Sequence, residues 1–544
     1  MKQIYKKLLA AALGVSMLLS MVGCGQSDTS EQTQTDSEQT QAANENEAKV
    51  LTIVTAKELD NLTTLTMNKE NNIACGLVYE TLVAYEDGEI VPELAEEWGW
   101  DETNTVLTFK LRQDVAFTDG AAFNAESVKE ILDFDRSNPN FSGIKGIYNI
   151  ESVEVVDEYT VAVHYAAPCF SYINDFCFQN VAGMMSPNVF EAKNFQTFTD
   201  VVGTGPYIRE EMISGDCTRF VRNENYWGEA PYYDEVVIKY IPEASSRLQA
   251  LQTGEVDLIY GADLLSYDDY NQALSLDGIE GAINDGNTLT RNLVLNASSE
   301  ILSDLKVRQA IAYAVNKEEI TKGLTYGYET PATSLFAPGA PYTDITYNST
   351  WSYDLDKANA LLDEAGWVMN ESTGIREKDG QQLSLNYTYW TDLSLAQDMA
   401  LAIKTQLAEV GIDVTTTGQD QMTWWTEGVA GNYDITTWNT EGSYTEPHKF
   451  LQESLGADPH AISLQALEDF QSYSDAVNAF STSADPEVVQ SAIATALNVS
   501  NDNVIDLPIS YSKDLVVYNS SKIAGYTFSS VPQFFEIDNV QPAE

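Results

Sequence analysis

Basic residues are scarce in this chain. Lys and Arg total 29 against 82 Asp and Glu over 544 residues, a formal net charge of -53 at pH 7. So acidic a surface repels phosphate backbones and anionic headgroups, which argues against nucleic-acid binding and against electrostatic docking on a membrane. Histidine is scarcer still, with only His164, His448 and His460 among 3 in all. None belongs to an H-E-x-x-H pair, and G-x-S-x-G and the phosphate-cradling P-loop are missing as well. Gly203-Thr-Gly205 lacks the third glycine and the helix of a dinucleotide fingerprint. Carboxylate pairs occur everywhere in so acidic a chain, so they give a glycosidase no specific support. The apolar run from Leu8 to Val22 falls short of the roughly 20 residues that span a bilayer, which counts against a transmembrane anchor.

That run is preceded by Lys2, Lys6 and Lys7 and followed by Met21-Val-Gly23-Cys24, the order of a secretory targeting segment. It resembles a bacterial lipobox with Met in place of the commoner Leu, which implies cleavage before Cys24 and lipidation of its thiol. Residues 1–23 are then a signal peptide. Residues 24–49 hold almost nothing apolar, so they cannot offset their ordering entropy and read as a flexible tether. Lipid and tether together imply a protein held on the extracellular face of a cell membrane. Cys75, Cys169, Cys177 and Cys217 permit disulfides without fixing a pairing, and buried thiols are the equal alternative.

A chain this long exceeds one core, so two or three domains are expected. The stretch from Val202 to Ile259 organises them: a Gly203-Thr-Gly205-Pro206 turn, Arg222-Asn-Glu-Asn-Tyr-Trp227-Gly228, a buried strand at Val236 to Ile241, and a helix from Ala244 to Thr253 closed by Gly254. Upstream, Val106 to Arg112 alternates as a strand, Asn124 can cap a helix running to about Phe134, and Val153–Val156 with Thr160–His164 reads as a hairpin. Beyond about Asn284, helices and strands alternate. Ser303 and Asp354 cap two of the helices, Leu383 to Tyr389 is a strand, and Ser394 to Val410 is a helix ended by Gly411. Such units build an open sheet covered by helices.

The Gly-Thr-Gly-Pro-Tyr207 turn, the Arg-Asn-Glu-Asn-Tyr-Trp-Gly run and the Thr253-Gly-Glu-Val-Asp257 strand entry resemble the solute-binding proteins of ABC importers, in their large peptide/nickel family, from about Leu51 to Asn539. The resemblance implies an α/β fold of two hinged lobes, of the periplasmic-binding-protein class II type with an extra inserted subdomain. It places lobe I at 50–90, 202–284 and 501–544, the inserted subdomain at 91–201 and lobe II at 285–500. It implies no enzymatic activity, partnership with a permease and an ATPase, and a monomer.

The ligand is read from one loop, Trp438-Asn-Thr-Glu441-Gly-Ser-Tyr444-Thr-Glu446-Pro447-His448, which follows a strand where open sheets present ligands. Trp390, Trp424, Trp425, Trp438, Glu441 and Tyr444 are the aromatic and acidic candidates, with Tyr207 beside them and Trp227 read as core. In peptide receptors of the family, an acid three places after a Trp holds the peptide ammonium, and Trp438 and Glu441 are similar to that pair. The loop length is instead similar to nickel receptors, where His460 sits at the place of a metal-ligating His. The arginines that grip a nickel chelate are replaced by Asn140 and Asn180. His448 is a weaker metal candidate, and His164 reads as structural. No resident cofactor is implied; nickel enters only as part of a transported chelate. The expectation is a receptor for a nickel chelate or a short peptide, with a non-transporting sensor and a secreted hydrolase as alternatives.

Overall fold

The computed structural model describes residues 48–59, 62, 71–86, 88–189, 200–286, 288–442, 446–456, 458–529 and 534–543. Signal peptide, Cys24, most of the tether and Tyr444 lie outside them. Residues 48–544 form one compact unit.

Lobe I is built on a seven-stranded sheet in the order Ile279–Ile283, Leu515–Asn519, Leu258–Tyr260, Val50–Thr55, Glu235–Tyr240, Cys217–Arg222 and Tyr207–Ile213. Its centre is parallel: Val50–Thr55 runs alongside both Glu235–Tyr240 and Leu258–Tyr260. The helix Ala244–Thr253 ends as its sequence dictates, with Gly254 left-handed at φ 74°. Gly203 and Gly205 serve a different purpose from the turn angles expected of them. Neither has positive φ; a Cβ at Gly203 would meet the Val78 carbonyl oxygen at 2.1 Å and one at Gly205 would meet it at 2.7 Å. Only a bare backbone passes there, and Gly205 N–H donates to that same oxygen at 2.9 Å.

The inserted subdomain carries a four-stranded antiparallel sheet, Ala95–Trp100, Val106–Leu111, Thr160–Tyr165 and Ile150–Asp157. Against it lies the helix Ala125–Asp135, started by a reciprocal Asn124–Ser127 capping box. Their shared core includes Leu107, Phe109, Val128, Ile131, Val161 and Val163.

Lobe II has a six-stranded sheet in the order Thr330–Pro331, Asp506–Tyr511, Thr290–Leu295, Ile435–Asn439, Ser384–Trp390 and Asp413–Gln419. The last three are parallel to one another, while Thr290–Leu295 is antiparallel to both of its neighbours. The helix expected over 394–410 spans Ala396–Ala408 and packs Met399, Ala400, Ile403 and Leu407 into the core. Asp304, not Ser303, caps the helix Leu305–Ala314, its carboxylate accepting from Lys306 N.

The end of lobe II moves from the expected 500 to 511. Asp506–Tyr511 pairs with Thr290–Leu295, so it is a lobe II strand, and the return to lobe I begins at Ser512. Among the described residues, two antiparallel crossings therefore join the lobes, at 284–286 with 288–289 and at 512–514. They are tied by Thr288 N donating to Ser512 O at 3.1 Å, Ser512 N to Leu289 O at 2.8 Å and Asn284 N to Asp514 O at 3.0 Å. Lys513 Nζ reaches the carbonyls of Asp285 and Gly286 at 2.7 and 2.9 Å. Cys169, Cys177 and Cys217 are thiols, and Cys75 is buried in the lobe I core.

Candidate functional site

Parallel strands leave their carboxyl ends open for loops, and here the two lobes turn those ends toward each other. Lys57, just past the lobe I strand Val50–Thr55, carries its Nζ to 5.7 Å from the ring centroid of Trp390, the last residue of the lobe II strand Ser384–Trp390. The same Nζ lies 4.0 Å from Asp392 Oδ2.

Around Trp390 the candidate tryptophans come together. Trp424 stacks on Trp390 at 6.3 Å between centroids, contacts Trp438 at 5.2 Å and Trp425 at 6.4 Å, and Trp425 lies 6.2 Å from Trp438. The helix Gln421–Val429, capped by Asp420, supplies Trp424 and Trp425; the ends of two parallel strands supply Trp390 and Trp438. Trp424 is the inner wall, 8% exposed, its indole N–H donating to Thr436 Oγ1 at 2.8 Å. Trp425, 41% exposed, is the outer one.

In the acidic loop, Glu441 already has a cation of the protein's own beside it. The Glu441 carboxylate binds Lys449 Nζ, which also lies 3.4 Å from Glu453 Oε1. Burial works against the Lys449 charge, but Glu441 and Glu453 outweigh it and hold its pKa above the ordinary value. Glu446 acts as a loop staple, accepting from the N–H groups of Glu441 at 2.6 Å and Gly442 at 2.9 Å. Burial pushes its pKa up to about 7.

His460 is placed behind this wall rather than in the opening. Its ring meets Trp438 edge-on at 4.8 Å and Phe450 at 4.9 Å, and only 1% of the residue is exposed. Nδ1 is 2.9 Å from Asp458 Oδ1 and Nε2 is 3.1 Å from Asp506 Oδ1. Burial favours the neutral ring, yet the two carboxylates prevail and raise its pKa to about 10. An imidazolium has no lone pair to give a metal, so in this state His460 is not available as a ligand. Among the described residues, no group of three or more His, Cys, Asp or Glu side chains is placed to hold a metal ion.

The remaining expectations scatter. Asn140 is exposed on the turn Pro139–Phe141. Asn180 is 3% exposed and its amide nitrogen contacts Asn72 Oδ1. Tyr207 belongs to the lobe I core, 0% exposed with its hydroxyl on Tyr233 O at 3.0 Å, so it is no ligand group. Trp227 is structural, donating to Glu80 Oε2 at 2.9 Å under the Arg112 guanidinium at 4.0 Å. His164 is held at 3.2 Å by Glu154 across the subdomain hairpin.

His448 marks a feature that the sequence does not announce, a clasp between the inserted subdomain and lobe II. Its Nε2 faces Asp175 Oδ1 across 3.9 Å, both side chains nearly fully buried. Beside them Phe170 of the subdomain enters lobe II, its ring 5.0 Å from Tyr342, 5.8 Å from His448 and 6.3 Å from Phe480. Phe170 N–H donates to Ser483 O at 3.0 Å. The approach is tight enough that a Cβ on Gly143 would lie 2.6 Å from Glu453 Oε1. Lobes joined by two narrow crossings and touching again at a distant clasp form a clamp that can hinge.

Known proteins match this architecture. The nickel-binding periplasmic protein of Escherichia coli K12 is 28% identical over 482 residues, 87% of this chain and 90% of that protein. The glutathione-binding protein GsiB of Salmonella typhi is 30% identical over 340 residues, 61% of this chain and 62% of the relative. The crystal structure of NikA from Brucella suis in complex with Fe(III)-EDTA superposes with a TM-score of 0.87 at 28% identity, covering 91% of this chain and 100% of that one. The family profile "Bacterial extracellular solute-binding proteins, family 5 Middle" matches residues 89–460, more than half of the chain. The hinged clamp therefore belongs to a bacterial extracellular solute-binding protein of family 5, the peptide/nickel class of ABC-importer receptors.

Proposed function

We propose that this receptor captures a short peptide or similar small solute between its lobes and delivers it to a permease driven by its ATPase. The observation that carries the reading is the tryptophan-lined mouth at the facing carboxyl ends of the parallel strands of the two sheets. Such a surface holds flat, apolar or cationic groups by burial and by ring-face attraction. An anionic chelate calls for bidentate cationic forks, and the tryptophans at the mouth supply none. The glutathione-binding relative lends the peptide reading a precedent, since glutathione is itself a peptide.

Differential affinity for the closed form drives closure, and the closed surface is what the permease reads. We further propose that Cys24 is lipidated after removal of residues 1–23, that residues 25–49 tether the clamp to the outer face of the membrane, and that it works as a monomer.

A nickel chelate is the second reading, favoured by the length of the likeness to the nickel-binding relative. Native mass spectrometry of residues 25–544, with metal analysis of the same sample, separates the two. Peptide masses without metal are expected. A stoichiometric nickel-bearing mass would replace the peptide reading with the chelate.

A further inference from the structure

Two polar atoms at the mouth of the clamp are buried without hydrogen-bond partners: the indole nitrogen Nε1 of Trp390 and the amide oxygen Oε1 of Gln419. They are neighbours by construction. Trp390 and Gln419 end adjacent parallel strands and are register partners, so their side chains leave the same face of the sheet. That face is the one on which Trp424 stacks against Trp390. Lys57 of the opposite lobe reaches over the Trp390 ring, so the pair looks across the cleft.

Buried polar groups in folded proteins are almost always hydrogen-bonded, and leaving one unmade costs about 1–3 kcal/mol. A buried donor and a buried acceptor left unpaired on register partners, on the sheet face where Trp424 packs and where Lys57 of the other lobe approaches Trp390, mark a place for the polar groups of a ligand. Indole offers only an N–H donor, while the glutamine oxygen only accepts. A peptide unit accepts at its C=O and donates at its N–H, so one amide of a ligand answers both. A carboxylate has no donor for Gln419, and a bare metal ion would be repelled by the indole N–H.

We infer that Trp390 and Gln419 form an amide-recognising subsite of the cleft, Trp390 Nε1 donating to a ligand carbonyl and Gln419 Oε1 accepting from a ligand N–H. This rests on the solute-receptor reading above and narrows its solute to molecules carrying a peptide-like amide. The subsite is independent of Glu441, whose carboxylate is spent on Lys449, and of His460, which lies behind Trp438.

The test uses the protein of residues 25–544 in three forms: unchanged, Trp390→Phe, which keeps a ring and removes the N–H, and Gln419→Leu, which keeps bulk and removes the acceptor. Each is titrated by native mass spectrometry with a pool of di- to tetrapeptides and, separately, with nickel–histidine chelate. Thermal melting of each ligand-free form is recorded alongside. Peptide capture by the unchanged protein is expected, weakened about tenfold by either substitution, with ligand-free melting unchanged or raised because each removes an orphaned polar group. Peptide affinities unaltered in both variants overturn the subsite while leaving the receptor reading intact. Capture of the chelate alone overturns the amide assignment. Capture of neither overturns both the subsite and the solute class proposed for the receptor.

Discussion

Replacing Phe170 with Ala removes a ring that packs among Tyr342, His448 and Phe480 of lobe II. Parting the lobes would expose that ring, so the substitution acts on the closed form and spares the open one. Full burial of a Phe side chain stabilises by about 1.5–3 kcal/mol and an aromatic pair adds about 0.5–1.5 kcal/mol. Phe170 is only half-buried, so a loss of about 2–3 kcal/mol is a fair figure for three such contacts. The bond from Phe170 N–H to Ser483 O involves the backbone and survives in Phe170→Ala. A solute that binds the closed form loses affinity by the same free energy, which is about 30- to 150-fold in Kd. Isothermal titration with whichever solute is captured reads this directly, and melting of the ligand-free protein reports any general damage. An unchanged Kd would refute the reasoning, because it would mean that the clasp does not help to hold the liganded state.

Asp135 ends a helix of the inserted subdomain with 0% exposure and both carboxylate oxygens unpartnered, and burial raises its pKa well above the ordinary value. The folded state therefore keeps a proton that the unfolded chain releases near pH 3.9, and stability falls by about 1.4 kcal/mol for each pH unit from there until the buried carboxyl itself ionises. Asp135→Asn is expected to raise stability at pH 7 and to flatten this slope in denaturant titrations; equal or lower stability would count against it. For His460, with a folded pKa of about 10, the ion pairs stabilise fully below the unfolded value near 6.5 and fade as pH rises through 10. His460→Gln leaves Asp458 and Asp506 buried without their cation and is expected to cost about 3–5 kcal/mol. A proton-coupled nitrogen spectrum should show both ring nitrogens protonated at pH 8, and a neutral ring there would return His460 to the list of metal ligands. Glu446, raised to about 7, adds stability at acid pH that is lost between about 4.5 and 7, so Glu446→Gln should flatten that part of the melting profile.

Much of the framework is legible in the sequence because it rests on local chemistry. Asn124 and Asp354 cap helices, Gly254 closes one, and the residues from Val153 to His164 form their hairpin. The tryptophans that come together at the mouth were also legible, since indoles clustered at strand ends and in the helix beside them are conspicuous. What escapes is decided by long-range contact. Gly203 and Gly205 look like turn glycines, but the neighbouring Val78 carbonyl is what excludes a side chain there. Glu441 looks like an ammonium anchor until folding brings Lys449 to it. Two aspartates, one nearby in sequence and one from a distant strand, lie against the two ring nitrogens of His460. The strand Asp506–Tyr511 goes to lobe II because its partner is Thr290–Leu295. Gln419 and Phe170 carry no motif, and only the sheet register and the lobe contact single them out.

The central claim is that a solute closes this clamp. It is tested most directly by the distance between spin labels on bio-orthogonal residues placed at Val156, 55% exposed on the inserted subdomain, and at Met422, 73% exposed on lobe II. Double electron–electron resonance is recorded without solute and with a saturating peptide identified by native mass spectrometry. The account predicts a broad or long distribution that collapses to one shorter distance on binding, and a partial return to the long distances in Phe170→Ala. A distribution that the bound solute leaves unchanged would contradict it.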